Sequence, residues 1–221
     1  MSRPRREPLA GRVAEVMLTP VNVRLMTLAI DMLDVRPDHA VLAAGCGNGE
    51  VIQLLTERAW NGQVAGIEPV SRLLETARRR NRVAIALGAV ELLPADVTNL
   101  PWPVATFDRA CTINTLYFWP SLEDGFRELR RVLKPGGRLV IALRAREDSG
   151  MLSWRSPAGR RGVEEIEAAL TETGFNRIER AVHHIGLVTG VSIAANAALS
   201  RRPRRQAQST LRQARSQSAS R

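Results

Sequence analysis

Apolar and polar positions along this chain fall into short blocks whose period switches repeatedly. Over 19–35, "TPVNVRLMTLAIDMLDV", Leu25, Leu28, Met32 and Val35 recur at helical spacing, with Thr19 placed to cap and Pro20 in the first turn. The apolar run 40–44 then predicts a strand, and "GEVIQLLTERA" (49–59) a helix. The pattern repeats with a strand at 63–69, a helix at 71–87 closed by Gly88, and a strand at 89–93. A further strand, "FDRACTI" (107–113), precedes a helix over 121–133 that Ser121 and Asp124 mark as a capped start. "KPGG" turns the chain into a fifth strand, 138–143.

The polar stretch 144–161, with its Gly, Ser and Pro, reads as a loop, and "GVEEIEAALTETG" (162–174) as an amphipathic helix. Two last strands fall within 176–188 and 190–199; joined by a few residues around Thr189 and Gly190, they can pair only as an antiparallel hairpin. Strands alternating with helices imply an α/β fold, a parallel sheet covered on both faces. Three regions are expected: a basic N-terminal arm (1–18), one domain (19–200) and an Arg-rich tail (201–221).

Charge changes this picture only at the ends. The formal net charge is +10, but residues 201–221 hold seven arginines and no acid, and the first seven residues hold three arginines and Glu7. What lies between is close to neutral. The tail has almost no large apolar residue, so disorder is expected. Its arginines have the chemistry to hold nucleic acid or an anionic membrane surface weakly through phosphates, but a solvated tail is the favoured reading. No apolar run approaches the roughly 20 residues of a membrane span, and no apolar segment follows the basic N-terminus as in a secretory signal. With two cysteines, one inside a glycine-rich segment, reduced thiols and a cytoplasmic location are expected.

Candidate chemistry centres on "VLAAGCGNGE" (41–50), where the first strand runs into Gly45, Gly47 and Gly49. A dinucleotide fingerprint would need glycine at 50, where Glu50 stands. The Lys and Ser/Thr of a phosphate-binding loop are also missing. What remains is a loop that lets a ligand approach backbone closely without neutralising phosphate. Glu68 ends the second strand, where an acid can accept bonds from ribose hydroxyls at the crevice outside the strand ends. Asp96 follows the third strand in "LLPADV"; it suits either an adenine amino group or a local turn.

Together, "VLAAGCGNG", "VAGIEPVSRLLETARRR", "ADVTNLPWPVATFD" and "LRRVLKPGGRLVIA" resemble the class I S-adenosylmethionine-dependent methyltransferases, and are nearest to the small-molecule branch related to ubiquinone and menaquinone methyltransferases. The similarity runs in order from about residue 38 to residue 145. The resemblance implies a Rossmann-like, doubly wound sheet of seven strands, mostly parallel with an antiparallel C-terminal hairpin strand. It implies S-adenosyl-L-methionine as cofactor. The backbone at Gly45, Cys46 and Gly47 would face its methionine part, Glu68 its ribose, and Asp96 and Val97 its adenine. Asn114 would lie beside the methionine moiety and the substrate entrance. It assigns no catalytic residue.

One position departs from the family. Ala43 stands where relatives carry an acid that meets the methionine amino group. Loss of a hydrogen bond to a charged group costs about 1.5–3 kcal/mol, or roughly tenfold to a hundredfold in affinity. The ribose and adenine contacts survive, so cofactor binding is expected to persist. Methyl transfer then needs mainly alignment, because a sulfonium methyl is already activated. His183 and His184 are the base candidates by type, although sheet packing suits either better; His39 suits a turn. Tyr117 and Trp102 sit where they can line an apolar acceptor pocket, whereas Phe118 and Trp119 suit the core. The expected function is methyl transfer to a small-molecule acceptor. The alternatives are a catalytically silent binding module, which Ala43 alone supports, and a nucleic-acid methyltransferase. The latter is disfavoured because "NTLYFWP" lacks an N-P-P-Y-type run for an extruded base.

Overall fold

A computed structural model describes residues 20–148, 151–156 and 159–199, and the side chains of these except Pro20 and 146–161. The basic arm, the Thr19 cap and the Arg-rich tail lie outside the described residues. The chain runs α1 (Pro20–Leu33), β1 (Ala40–Ala44), α2 (Glu50–Arg58), β2 (Gln63–Ile67), α3 (Ser71–Arg80), α4 (Arg82–Ala86), β3 (Val90–Leu93) and β4 (Phe107–Ile113). It continues with a 3-10 turn (Leu116–Phe118), α5 (Leu122–Val132), β5 (Leu133–Asp148), β6 (Met151–Ser156), β7 (Gly159–Gly162), α6 (Val163–Glu172), β8 (Phe175–Ile185) and β9 (Val188–Ala197).

The main sheet runs β3-β2-β1-β4-β5-β9-β8, parallel through β5 and antiparallel for β9 and β8. This is the expected Rossmann-like sheet of seven strands. Alternation along β1 shows why it is doubly wound: Leu42 and Ala44 enter the core that includes α5 and α6, and Val41 and Ala43 enter the core beneath α1, α2 and α3. The chain reverses its direction of growth between β1 and β4, and the crevice outside their carboxyl ends is where such sheets bind ligands.

Several local expectations change. The described residues of 144–161 are strand where a loop was expected: β5 continues to Asp148, where Arg146–Asp148 pair with Ser153–Met151 of β6, and β6 pairs with β7. An antiparallel ladder satisfies backbone groups whatever the side chains are, so polar composition did not signal it. The helix over 71–87 is two helices parted at Asn81, whose Nδ2 donates to Gly49 O (3.0 Å) and Ala77 O (2.9 Å). The last hairpin turns at Gly186 and Leu187, leaving Thr189 and Gly190 inside β9. In α1 the buried face is Leu25, Met26, Ala29, Ile30 and Leu33, and Leu28 and Met32 lie at its edge. The Ser121 cap is as expected, accepting from Asp124 N at 3.1 Å.

Candidate functional site

The loop after β1 is held from within. Gly45 has φ +81, and a Cβ there would lie 2.5 Å from Thr115 Cγ2, so only glycine fits without displacing the segment after β4. At the other end Gly49, φ +83, packs against Ala77 and Asn81 of the next helix pair; a Cβ would meet Asn81 Nδ2 at 2.6 Å. The loop amides turn inward: Gly45 and Cys46 both donate to Ile67 O (3.0 and 2.8 Å), Gly49 to Cys46 O (3.0 Å), and Gly47 to Glu68 Oε2 (2.9 Å). A phosphate cradle needs such donors aimed at the ligand. Here they are spent within the fold, mainly on β2 and the acid that follows it, in agreement with the missing Lys and Ser/Thr.

Glu68 does more than wait at a strand end. Only 6% of it is exposed, and its second oxygen accepts from Val70 N at 3.0 Å. Burial raises its pKa above the ordinary 4.5, against the lowering effect of the Val70 and Gly47 amides. The carboxylate therefore staples the glycine loop to the start of α3, and each oxygen keeps lone-pair capacity for a further donor.

Beyond β4, Asn114 adopts φ +57 and gathers a polar cluster. Its Oδ1 accepts from Arg144 N (3.2 Å) and lies 3.2 Å from the Tyr117 hydroxyl, and its Nδ2 donates to Asn22 Oδ1 (3.3 Å). The hydroxyl of Tyr117 also accepts from Arg144 N at 2.7 Å. Asn22 is 5% exposed and stands on the buried face of α1. It was not singled out in the sequence, although a lone asparagine three and four residues before Leu25 and Met26, on an otherwise apolar stripe, is the signal that marks it.

These parts meet in one cleft at the β1/β4 reversal, whose walls include Asn22, Met26, Ala43, Gly45, Cys46 and Asn114. Ala43 is 2% exposed, so the departure from the family pattern sits in the cleft wall itself. Gly47 and Glu68 brace the loop that forms the cleft floor. Asp96 and Val97 do not line this cleft. Asp96 is exposed, and its Oδ1 accepts from Thr98 N (2.9 Å) and Thr98 Oγ1 (2.7 Å), the local-turn arrangement; the Val97 side chain is buried in the core, 5% exposed.

Residues 42–141 match the family described as "Methyltransferase domain". Over 76% of its length the chain is 25% identical to the "Uncharacterized methyltransferase YdaC" of Bacillus subtilis (strain 168), of which it spans 88%. The chain is 34% identical over 56% of its length to the 27-O-demethylrifamycin SV methyltransferase of Amycolatopsis mediterranei (strain S699), of which it spans less than half, 45%. A solved structure, the SAM dependent methyltransferase from Aquifex aeolicus, superposes with a TM-score of 0.71 at 19% identity, over 87% of this chain and 100% of that one. Over 42–141, just under half of its length, the chain is similar to methyltransferase domains.

The cleft has features of its own that suit S-adenosylmethionine, the cofactor named for the Aquifex aeolicus protein. Asn22 in the cleft lining is buried, with an Nδ2 that has no hydrogen-bond partner among the described residues, and the loop on the cleft floor is braced by an acid at the end of β2 whose oxygens keep capacity for further donors. The thiols in its walls are unsuited to proton transfer. Burial, and after it the Glu68 carboxylate, pushes the Cys46 thiol up to about 12, and burial does the same for Cys111. Both thiols should therefore be silent toward an aromatic disulfide reagent in the native protein at neutral pH, and both should react after denaturation. Rapid native labelling of either would contradict the burial described.

His183 contacts Ser192 Oγ at 3.1 Å on the neighbouring strand, and burial lowers its pKa; His184 is exposed. His39 Nδ1 accepts from Arg36 N at 3.1 Å, the expected turn role. Trp102 does not line the cleft: its ring packs edge-on to Phe107, 5.3 Å away, and Nε1 donates to Glu91 at 2.9 Å. Trp119 packs on Phe126 as expected of a core residue, but Phe118 is 46% exposed.

Proposed function

We propose that this protein is an S-adenosylmethionine-dependent methyltransferase that transfers a methyl group to a small acceptor with an apolar body, entering between the α1 side of the cleft and the end of β4. The observation that carries the proposal is the cleft itself: a glycine floor stapled to Glu68, facing apolar walls from Met26, Val51 and Ile113. In this reading Gly45, Cys46 and Gly47 receive the methionine end, Glu68 accepts from the ribose hydroxyls, and Asn114 holds the boundary between cofactor and acceptor. Asp96 and Val97 receive the adenine, with Asp96 using the oxygen that Thr98 does not occupy. When bound, S-adenosylmethionine supplies a methyl group already activated on a sulfonium centre.

The chain's own part is then to exclude water and to align. Asn114, fixed by Arg144 N and by its left-handed backbone, forms a rigid edge against which an acceptor can be positioned. With the nearby thiols protonated and Tyr117's hydroxyl, its pKa raised by burial, engaged with Arg144, the best acceptor atom is one that ionises unaided, such as an enol or phenol oxygen. The relative named for 27-O-demethylrifamycin SV supports a small-molecule acceptor. The test is a panel of small phenols, enols and amines incubated with the protein and S-adenosylmethionine, read as S-adenosylhomocysteine release. Acceptor-dependent release with an apolar phenol or enol supports the reading. Cofactor binding without release on any member would favour the silent binding module.

Ala43→Asp addresses the departure directly. In the proposed pose the new carboxylate meets the methionine ammonium, and affinity should rise about tenfold with the fold retained. A lower melting temperature without any gain in affinity would mean a buried, unpartnered charge and a remodelled methionine pocket.

A further inference from the structure

Asn22 Nδ2 is the buried side-chain polar atom without a hydrogen-bond partner among the described residues. Its direction is dictated by its neighbours. Arg144 N can only donate, so the atom of Asn114 that it meets at 3.2 Å is the carbonyl oxygen. Asn114 Nδ2 must then face Asn22, and the atom it meets at 3.3 Å must be Oδ1. What remains is the Asn22 NH2 group, on a residue 5% exposed in the lining of the cleft. Buried donors in folded proteins are nearly always satisfied, so one left over in a ligand cleft marks where a ligand acceptor belongs.

The cofactor's amino-acid end offers a carboxylate, which seeks donors, and an ammonium, which seeks acceptors. The lining shared with Asn22 includes Ala43, Cys111 and Ile113, none of them ionised. Among the lining residues the acid is Glu50, which lies 3.8 Å from Arg80, and Glu68 serves the ribose in the proposed pose. We infer that Asn22 Nδ2 is a specificity-determining group that binds the carboxylate of the cofactor's amino-acid end, and that this cleft reads the carboxylate rather than the ammonium. The inference rests on the proposed cofactor site and adds which end of the ligand it selects.

Calorimetric titration of the full chain with three ligands tests it: S-adenosylhomocysteine, its analogue lacking the carboxylate, and its analogue lacking the amino group. The wild type should bind the decarboxylated analogue at least about tenfold more weakly than S-adenosylhomocysteine, and the deaminated one within about threefold of it. Asn22→Ala should weaken the two carboxylate-bearing ligands by about tenfold and leave the decarboxylated one unchanged. Equal wild-type affinity with and without the carboxylate would overturn the inference, as would an equal loss for all three ligands in Asn22→Ala. Since Asn22→Ala also removes the partner of Asn114, its melting temperature is recorded alongside, and the wild-type ligand comparison decides without any variant. Failure of the wild type to bind S-adenosylhomocysteine at all would overturn the cofactor site along with the inference.

Discussion

Glu68→Ala is expected to weaken S-adenosylhomocysteine binding by at least about tenfold and also to lower the melting temperature by about 4–8 °C. The second effect comes from the structure. Read as an exposed strand-end acid, Glu68 would have touched only the ligand. Instead its oxygens accept from Gly47 N and Val70 N, and it is 6% exposed. Removing it strands two amides, each worth about 1.5–3 kcal/mol when bonded to a charged acceptor, partly offset by relief of a buried charge. The two effects carry opposite pH signatures. The folded-state pKa is raised above 4.5, so across the window just above that value the folded protein holds more of this proton than the unfolded chain. This group's contribution to stability therefore falls as pH rises through the window. Ligand affinity rises over the same window, because only the carboxylate serves the amides and the ribose hydroxyls together. Melting curves and titrations of wild type and variant over that range check both. A variant with unchanged affinity would remove Glu68 from the ribose site; unchanged stability would deny the staple.

Gly45→Ala should be the more damaging change at the loop. The residue sits at φ +81, which costs a residue bearing a Cβ about 1–2 kcal/mol, and the new methyl would lie 2.5 Å from Thr115 Cγ2. The segment after β4 cannot yield freely, since Thr115 is bonded to Thr112 and lies 3.5 Å from Ala44 O. Loop and Asn114 segment must therefore move apart, opening the cleft from both sides. A loss of about 2–4 kcal/mol in stability and near-complete loss of S-adenosylhomocysteine binding are expected. Adding Thr115→Ala should restore part of the stability, leaving the backbone strain. A native melting temperature in Gly45→Ala would show that the loop is not held as described.

What the sequence revealed and what it hid follow from the range of each interaction. The β1 run with Gly45, Gly47 and Gly49 was legible because a strand and its turn are encoded in adjacent residues, and four ordered segments fixed the sheet. The role of Glu68 was half legible: its place at the end of β2 is local, but its bond to Gly47 spans 21 positions. Asn22 was missed for the same reason, since its partner Asn114 lies 92 residues away. Trp102 beside a predicted loop end gave no hint of Phe107 and Glu91 as its partners. The β5–β6–β7 ladder was invisible because backbone pairing needs no apolar stripe.

The most direct measurement is a crystal structure of the protein with S-adenosylhomocysteine. The account predicts the ribose hydroxyls on Glu68, the sulfur beside Gly45 and Asn114, and the amino-acid carboxylate on Asn22. A ligand bound away from the β1/β4 cleft, or one in that cleft with its ribose remote from Glu68, would contradict it.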